Sequence, residues 1–193
     1  MVLYSIKSYL KFLWNSKNQH GVHSPFVYNL VTKCFYDKTN YEEYSILKSN
    51  HKSANYPISS KQVNLLFRVV QYLQPKSLLE IGSSLESATS VFSLGHKNAI
   101  ISSQNSSSEF YDLIYFGGNS SKKEILEYFE MLLPTSINNT IWIVNAIHGS
   151  KDMEEAWDII KNHPKVTVTI DTFYLGFVFF RSEQKKEHFV IRA

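Results

Sequence analysis

The sequence predicts an α/β fold, a mostly parallel sheet with helices on both faces and an antiparallel strand near the C-terminus. Three observations carry it. From Lys76 onward the chain shows short, near-continuous apolar runs: SLLEI (77–81), AII (99–101), YDLIYF (111–116), TIWIVNAI (140–147), KVTVTI (165–170) and FVFFR (177–181). Between them, residues 86–92, 122–133 and 152–162 have helical periodicity. Strands buried on both sides read in this way, and the interleaved helices supply the cover. The runs at 166–171 and 174–181 lie too close together for a crossover, so they turn as a hairpin and the last strand runs antiparallel.

The first 75 residues have a different texture and predict a helical cap, leaving 76–193 as the sheet-bearing core of one compact unit. Leu3, Ile6, Leu10, Leu13 and Trp14 recur at helical spacing, with Lys7, Lys11 and Lys17 mostly on other faces. That amphipathic helix is expected to pack on its own domain, with a partner surface or a membrane surface as the other uses of such a face. A second helix begins in HGVHSPF (20–26): Ser24 caps it, Pro25 suits its first position, and Phe26, Leu30, Val31, Cys34 and Phe35 form its apolar face. Residues 36–56 are polar and tyrosine-rich, a connector or irregular helix. Residues 57–73 form a further helix, capped by Ser59 or Ser60, burying Val63, Leu66, Phe67, Val70 and Leu73 and stopped by Pro75.

Composition narrows the functional classes. With 193 residues, 44% hydrophobic content and a net charge of +3 from scattered charges, the chain reads as one globular domain with no nucleic-acid partner. A single cysteine, Cys34, excludes an internal disulfide and any multi-cysteine metal site, and fits a reducing cytoplasm. Lys7 and Lys11 interrupt the N-terminal apolar pattern, so neither a signal peptide nor a membrane span is expected there. The N-x-S/T triplets at Asn105, Asn119 and Asn138 are then chance matches. The chain has no P-loop, no G-x-S-x-G elbow and no zinc spacing.

The order of cap, LLEIG, YDLIYF, IWIVNAIH and VTVTIDTFYLGFVFFR resembles the class I S-adenosylmethionine-dependent methyltransferases. It is most similar to an O-methyltransferase branch with an HGxHSPF cap, and the similarity covers nearly the whole chain. The resemblance implies a Rossmann-like sheet. Its cofactor would meet Glu80, Gly82, Ser83 and Ser84 after the first strand and Ser102 after the second. Several positions depart from the family pattern. Glu86 stands where the turn's last glycine is usual. Ser102 and Ser103 replace the carboxylate that accepts both ribose hydroxyls, a change worth roughly 1.5–3 kcal/mol of affinity. Only about seven residues, 104–110, separate the second run from YDLIYF, too few for the usual third strand and its helices, so the adenine wall is expected to be missing and 99–103 displaced. Gly117, Asn145 and Ala146 fall where the metal-dependent branch needs acids. Asn119 and Asn145 offer only neutral oxygens, so no metal is expected.

Among other groups, His148 follows TIWIVNAI, the fifth strand of the family pattern, and is the candidate general base, with Lys151 beside it; the other reading is a capping or solvent-facing histidine. His20 and His23 either close the cap or line a substrate entrance. Glu124, Glu127, Glu130, Glu154 and Glu155 read as solvated helix faces, and Phe173, Tyr174, Phe177, Phe179 and Phe180 as core and hairpin packing. The expectation is a methyltransferase-like protein with S-adenosylmethionine bound weakly or not at all. It would act as a binding or oligomerisation module, as a homo-oligomer or beside a related methyltransferase. The alternative is an active, metal-independent O-methyltransferase acting on a small hydroxylated substrate.

Overall fold

A computed structural model describes residues 2–53, 59–82, 85–103, 110–117 and 121–193. The helices are α1 (Val2–Asn15), α2 (Pro25–Leu30, continued by a π turn over Val31–Phe35), α3 (Glu43–Ser53), α4 (Ser60–Leu73), α5 (Leu85–Gly95), α6 (Lys122–Leu132) and α7 (Lys151–Asn162). The strands are β1 (Ser77–Ile81), β2 (Ile100–Ser102), β3 (Leu113–Phe116), β4 (Ile141–Asn145), β5 (Val168–Asp171), β6 (Leu175–Phe179) and β7 (Glu187–Val190). They form one sheet in the order β2-β1-β3-β4-β6-β5-β7. Neighbours among β2, β1, β3 and β4 pair in parallel, and β6 inserts antiparallel between β4 and β5.

Alternation along the strands divides the core into two layers. On one face Leu78, Leu113, Tyr115, Ile143 and Phe177 pack with α2, α4 and α5; on the other Leu79, Ile114, Trp142 and Val178 pack with α6 and α7. Capping boxes at Ser59/Gln62 and Ser121/Glu124 fix where α4 and α6 begin. Of the two caps offered for the third predicted helix, the structure uses Ser59.

The HGVHSPF segment docks the start of α2 on the sheet. Ser24 Oγ caps α2 at Val27 N and also donates to Gln184 Oε1 at 2.9 Å; Phe26 meets Phe179 edge-on and carries the Arg181 guanidinium 4.4 Å above its ring. Arg68 of α4 donates to the carbonyls of Cys34 and Phe35 and to Tyr44 Oη, tying α2, α3 and α4 together. Burial pushes the Cys34 thiol up to about 12, which leaves it a packing residue.

Four expectations need correction. The predicted antiparallel strand is present as β6, but it does not end the sheet, because β7 follows the hairpin and pairs parallel to β5 at the edge; the pattern EHFV has too little apolar character to read as a strand. Residues 100–102 keep a parallel place on β1 despite the short connection, since β2 needs only three residues of ladder. The polar segment after α2 contains a regular helix, α3. Finally, α1 does not bury its predicted stripe as a whole: Ser8 and Phe12 face inward and Leu13 is half-buried, while Ile6, Leu10 and Trp14 face solvent and the Leu3 side chain lies outside the described residues.

Candidate functional site

The carboxyl ends of β1, β3 and β4 bring the predicted cofactor residues to one edge of the sheet. Glu80, Tyr115 and Ile143 are in register and point to the same face, and two residues further on come Gly82, Gly117 and Asn145. Glu80 is 1% exposed. Thr89 of α5 donates to its Oε2 at 2.7 Å, while Oε1 has no hydrogen-bond partner among the described residues. Burial outweighs the Thr89 hydrogen bonds and pushes this carboxyl from 4.5 up to about 7. Because the folded state binds the proton more tightly, the contribution of Glu80 to stability is fully present below pH 4.5 and is lost as pH rises through about 7. Glu80→Gln is therefore expected to match the parent near pH 4 and to be more stable at pH 8 by on the order of 2–3 kcal/mol. Urea denaturation at both pH values checks this, and a difference that does not change with pH would contradict it.

Gly82 has φ of +120°, and a Cβ built on it would lie 2.1 Å from the Gly117 carbonyl oxygen. The glycine is needed because the backbone after β3 crosses directly against it. Ser102 is half-buried at the end of β2, an edge strand among the described residues, and offers one neutral hydroxyl. Ser83, Ser84, the Glu86 side chain, Asn119 and residues 104–109 lie outside the described residues. Asn145 is buried, and its Oδ1 also has no partner among the described residues. Two unpartnered acceptors, on β1 and β4, thus look out on the same face with Gly117 between them. Among the described residues no group of three or more His, Cys, Asp or Glu side chains is arranged to hold a metal ion.

His148 stands apart from this edge. Its Nδ1 lies 2.7 Å from Glu154 Oε1 and its Nε2 2.7 Å from Asp171 Oδ2, with the ring stacked on Phe173 at 5.1 Å. Burial works against a charge here, but the hydrogen bonds and charges of Asp171 and Glu154 prevail and hold the imidazole above the ordinary histidine range. With both nitrogens donating to carboxylates, the ring is arranged to keep a proton rather than to take one. Asp171 also accepts from Phe173 N at 2.7 Å, holding that residue at a φ of +73°, which a bulky side chain rarely adopts. Lys151 reaches Glu155 instead, at 3.7 Å.

The solvated-face reading of Glu154 is thus corrected, since a neighbour from a different element claims it. The sequence reading also missed Asp171 and Thr89. Asp171 had a usable signal, an acid ending an apolar run at a strand's carboxyl end; Thr89 had none beyond a polar residue on a helix. His20 and His23 are exposed, with Asn18 Oδ1 accepting from His20 N. A cleft of about 700 Å³ opens at the same end of the sheet, between α1, the start of α4 and the 172–175 turn, lined by Tyr9, Phe12, Lys61, Arg68, Phe173 and Tyr174 among others.

No family model matches the sequence, and comparison with curated proteins finds none that matches. Solved structures do match. The SAH-bound methyltransferase PaMTH1 from Podospora anserina aligns over 83% of this chain and 97% of its own, with TM-score 0.55 and 10% identity. A caffeoyl-CoA O-methyltransferase candidate from Staphylococcus aureus aligns over 73% and 93%, with TM-score 0.55 and 14% identity. A methyltransferase from Geobacter sulfurreducens aligns over 77% and 92%, with TM-score 0.51 and 11% identity. The fold is that of the class I methyltransferases. Within this methyltransferase fold, Glu80 and Gly82 end the first strand, Ser102 the second and Asn145 the fourth. The connection between β2 and β3 is the ten residues 103–112. Among the described residues no helix is long and apolar enough to cross a membrane.

Proposed function

We propose that this chain is a methyltransferase-fold binding module in which methyl transfer is impaired or absent. The observation that carries this reading is the close approach of the backbone after β3 to the cofactor turn: a Cβ on Gly82 would lie 2.1 Å from the Gly117 carbonyl oxygen. The donor set agrees with it. Ser102 cannot make the charged bidentate contact to a ribose, and Gly117 and Asn145 bring no negative charge to a divalent ion. On this reading S-adenosylmethionine does not fit at its ribose end, and no chemical step is routed through it. His148 serves as a structural clamp. The single cysteine supports a reducing cytoplasm, and a second copy or a related methyltransferase is the partner class.

A second reading has its own support in the two unpartnered acceptors, Glu80 Oε1 and Asn145 Oδ1, which suit a ligand bringing N–H donors or positive charge. An active metal-independent O-methyltransferase acting on a small hydroxylated substrate would use them to hold the charged end of its cofactor, with catalysis resting on alignment. Isothermal titration with S-adenosylmethionine separates the two readings. The first expects no saturable binding below millimolar concentration; micromolar binding competed by S-adenosylhomocysteine would establish the second.

A further inference from the structure

The outward face of α1 goes beyond either reading. Ile6, Leu10 and Trp14, spaced by four residues along the helix, are 52%, 61% and 91% exposed. Among the described side chains the inward face holds Ser8 and Phe12, and Phe12 and Tyr9 are anchored on Phe173 at 5.4 and 4.9 Å. A helix that only packs on its own domain turns its apolar side inward. Among its described side chains this one is anchored by Ser8, Tyr9 and Phe12 and presents an apolar row to water.

The charge around the row selects the occupant. Residues 1–36 contain Lys7, Lys11, Lys17 and Lys33 and no aspartate or glutamate. Lys7 and Lys11 are exposed and, four apart, run along one flank of the row. The acids that share a cleft with the inner side of α1 and with Lys11 are Glu154 and Asp158 of α7 and Asp171 of β5, and they are engaged with His148 and Lys161. A second copy is a poor occupant. In an antiparallel pair like flanks meet, setting lysines against lysines, and three or four side chains on one short helix fall well below the roughly 800 Å² per partner of a stable interface. An apolar row with an exposed tryptophan, a lysine flank and no acid on its own segment has the composition of a helix lying in a lipid interface.

We propose that α1 is an in-plane docking helix for an anionic phospholipid surface, burying Ile6, Leu10 and Trp14 among the acyl chains while Lys7 and Lys11 meet the headgroups. Trp14 reports on it directly, because the chain's other tryptophans, Trp142 and Trp157, are 0% and 4% exposed.

The experiment is co-sedimentation of the full chain with phosphatidylcholine vesicles with and without phosphatidylserine, monitoring tryptophan emission. The proposal expects at least tenfold tighter binding to the anionic vesicles, a blue shift on binding, and weakening by added salt. Leu10→Glu and the double variant Lys7→Glu/Lys11→Glu should each lose binding by tenfold or more with an unchanged melting temperature. Absence of binding to either vesicle would overturn it, as would equal binding to both. So would self-association abolished by Leu10→Glu, which would make the row a contact between copies.

Discussion

Gly82→Ala lowers the melting temperature by roughly 6–12 °C, the shift expected in a domain of this size for a loss of about 3 kcal/mol. Two costs add at this position. The φ of +120° belongs to a region that only glycine enters freely. The new methyl would also lie 2.1 Å from the Gly117 oxygen and 2.8 Å from its carbonyl carbon, so something must shift. A side chain in its place would rotate away, but Gly117 is backbone, and its N–H donates to the Ile81 carbonyl at 2.8 Å as an extension of the β1–β3 ladder. Relieving the clash therefore means breaking a strand contact. Thermal denaturation of the variant checks this. A shift under 2 °C would mean that the turn relaxes freely and that the glycine keeps its room for a ligand.

His148→Ala is expected to destabilise the protein by on the order of 2–3 kcal/mol at pH 6, since it strands two partly buried carboxylates that share one imidazolium. The pH dependence gives the cause. His148 has a raised pKa in the folded state, so its contribution is fully present below the unfolded value of about 6.5 and is lost as pH rises through the folded one. The gap between parent and variant should therefore narrow with rising pH. Denaturation in urea at pH 6 and pH 9 reads this directly, and a constant gap would assign the loss to packing against Phe173 instead. Glu80 also makes the parent less stable as pH rises, but its window lies between 4.5 and about 7. The two slopes are separable by the two variants.

Much of the fold was legible in the sequence because burial on both faces leaves a simple trace. LIYF is wholly apolar, SLLEI and IWIVN keep apolar residues at most positions, and they became β1, β3 and β4. The hairpin was forced by the short distance between two such runs. β7 left no comparable trace, since an edge strand half in solvent carries polar residues, and EHFV has two of them. The candidate site was legible one residue at a time. Glu80 and Gly82 could be picked out from a strand ending in a turn, but the purpose of Gly82 depends on Gly117, thirty-five residues away. His148 shows the same limit: a histidine after a strand suits a base, and only Glu154 and Asp171, from two other elements, occupy both its nitrogens.

By itself, the sequence determined the alternation of strands and helices, the antiparallel hairpin, the capped starts of α2 and α4, and the neutral character of Ser102, Gly117 and Asn145. These are local properties, set by periodicity, backbone preference and side-chain chemistry. Only the tertiary structure decided that the apolar row of α1 faces water, that the Gly117 backbone lies close against Gly82, and that His148 is held between two acids. Periodicity shows that a helix has two faces but not which one meets the core, and a hydrogen bond between distant elements exists only once packing has brought them together.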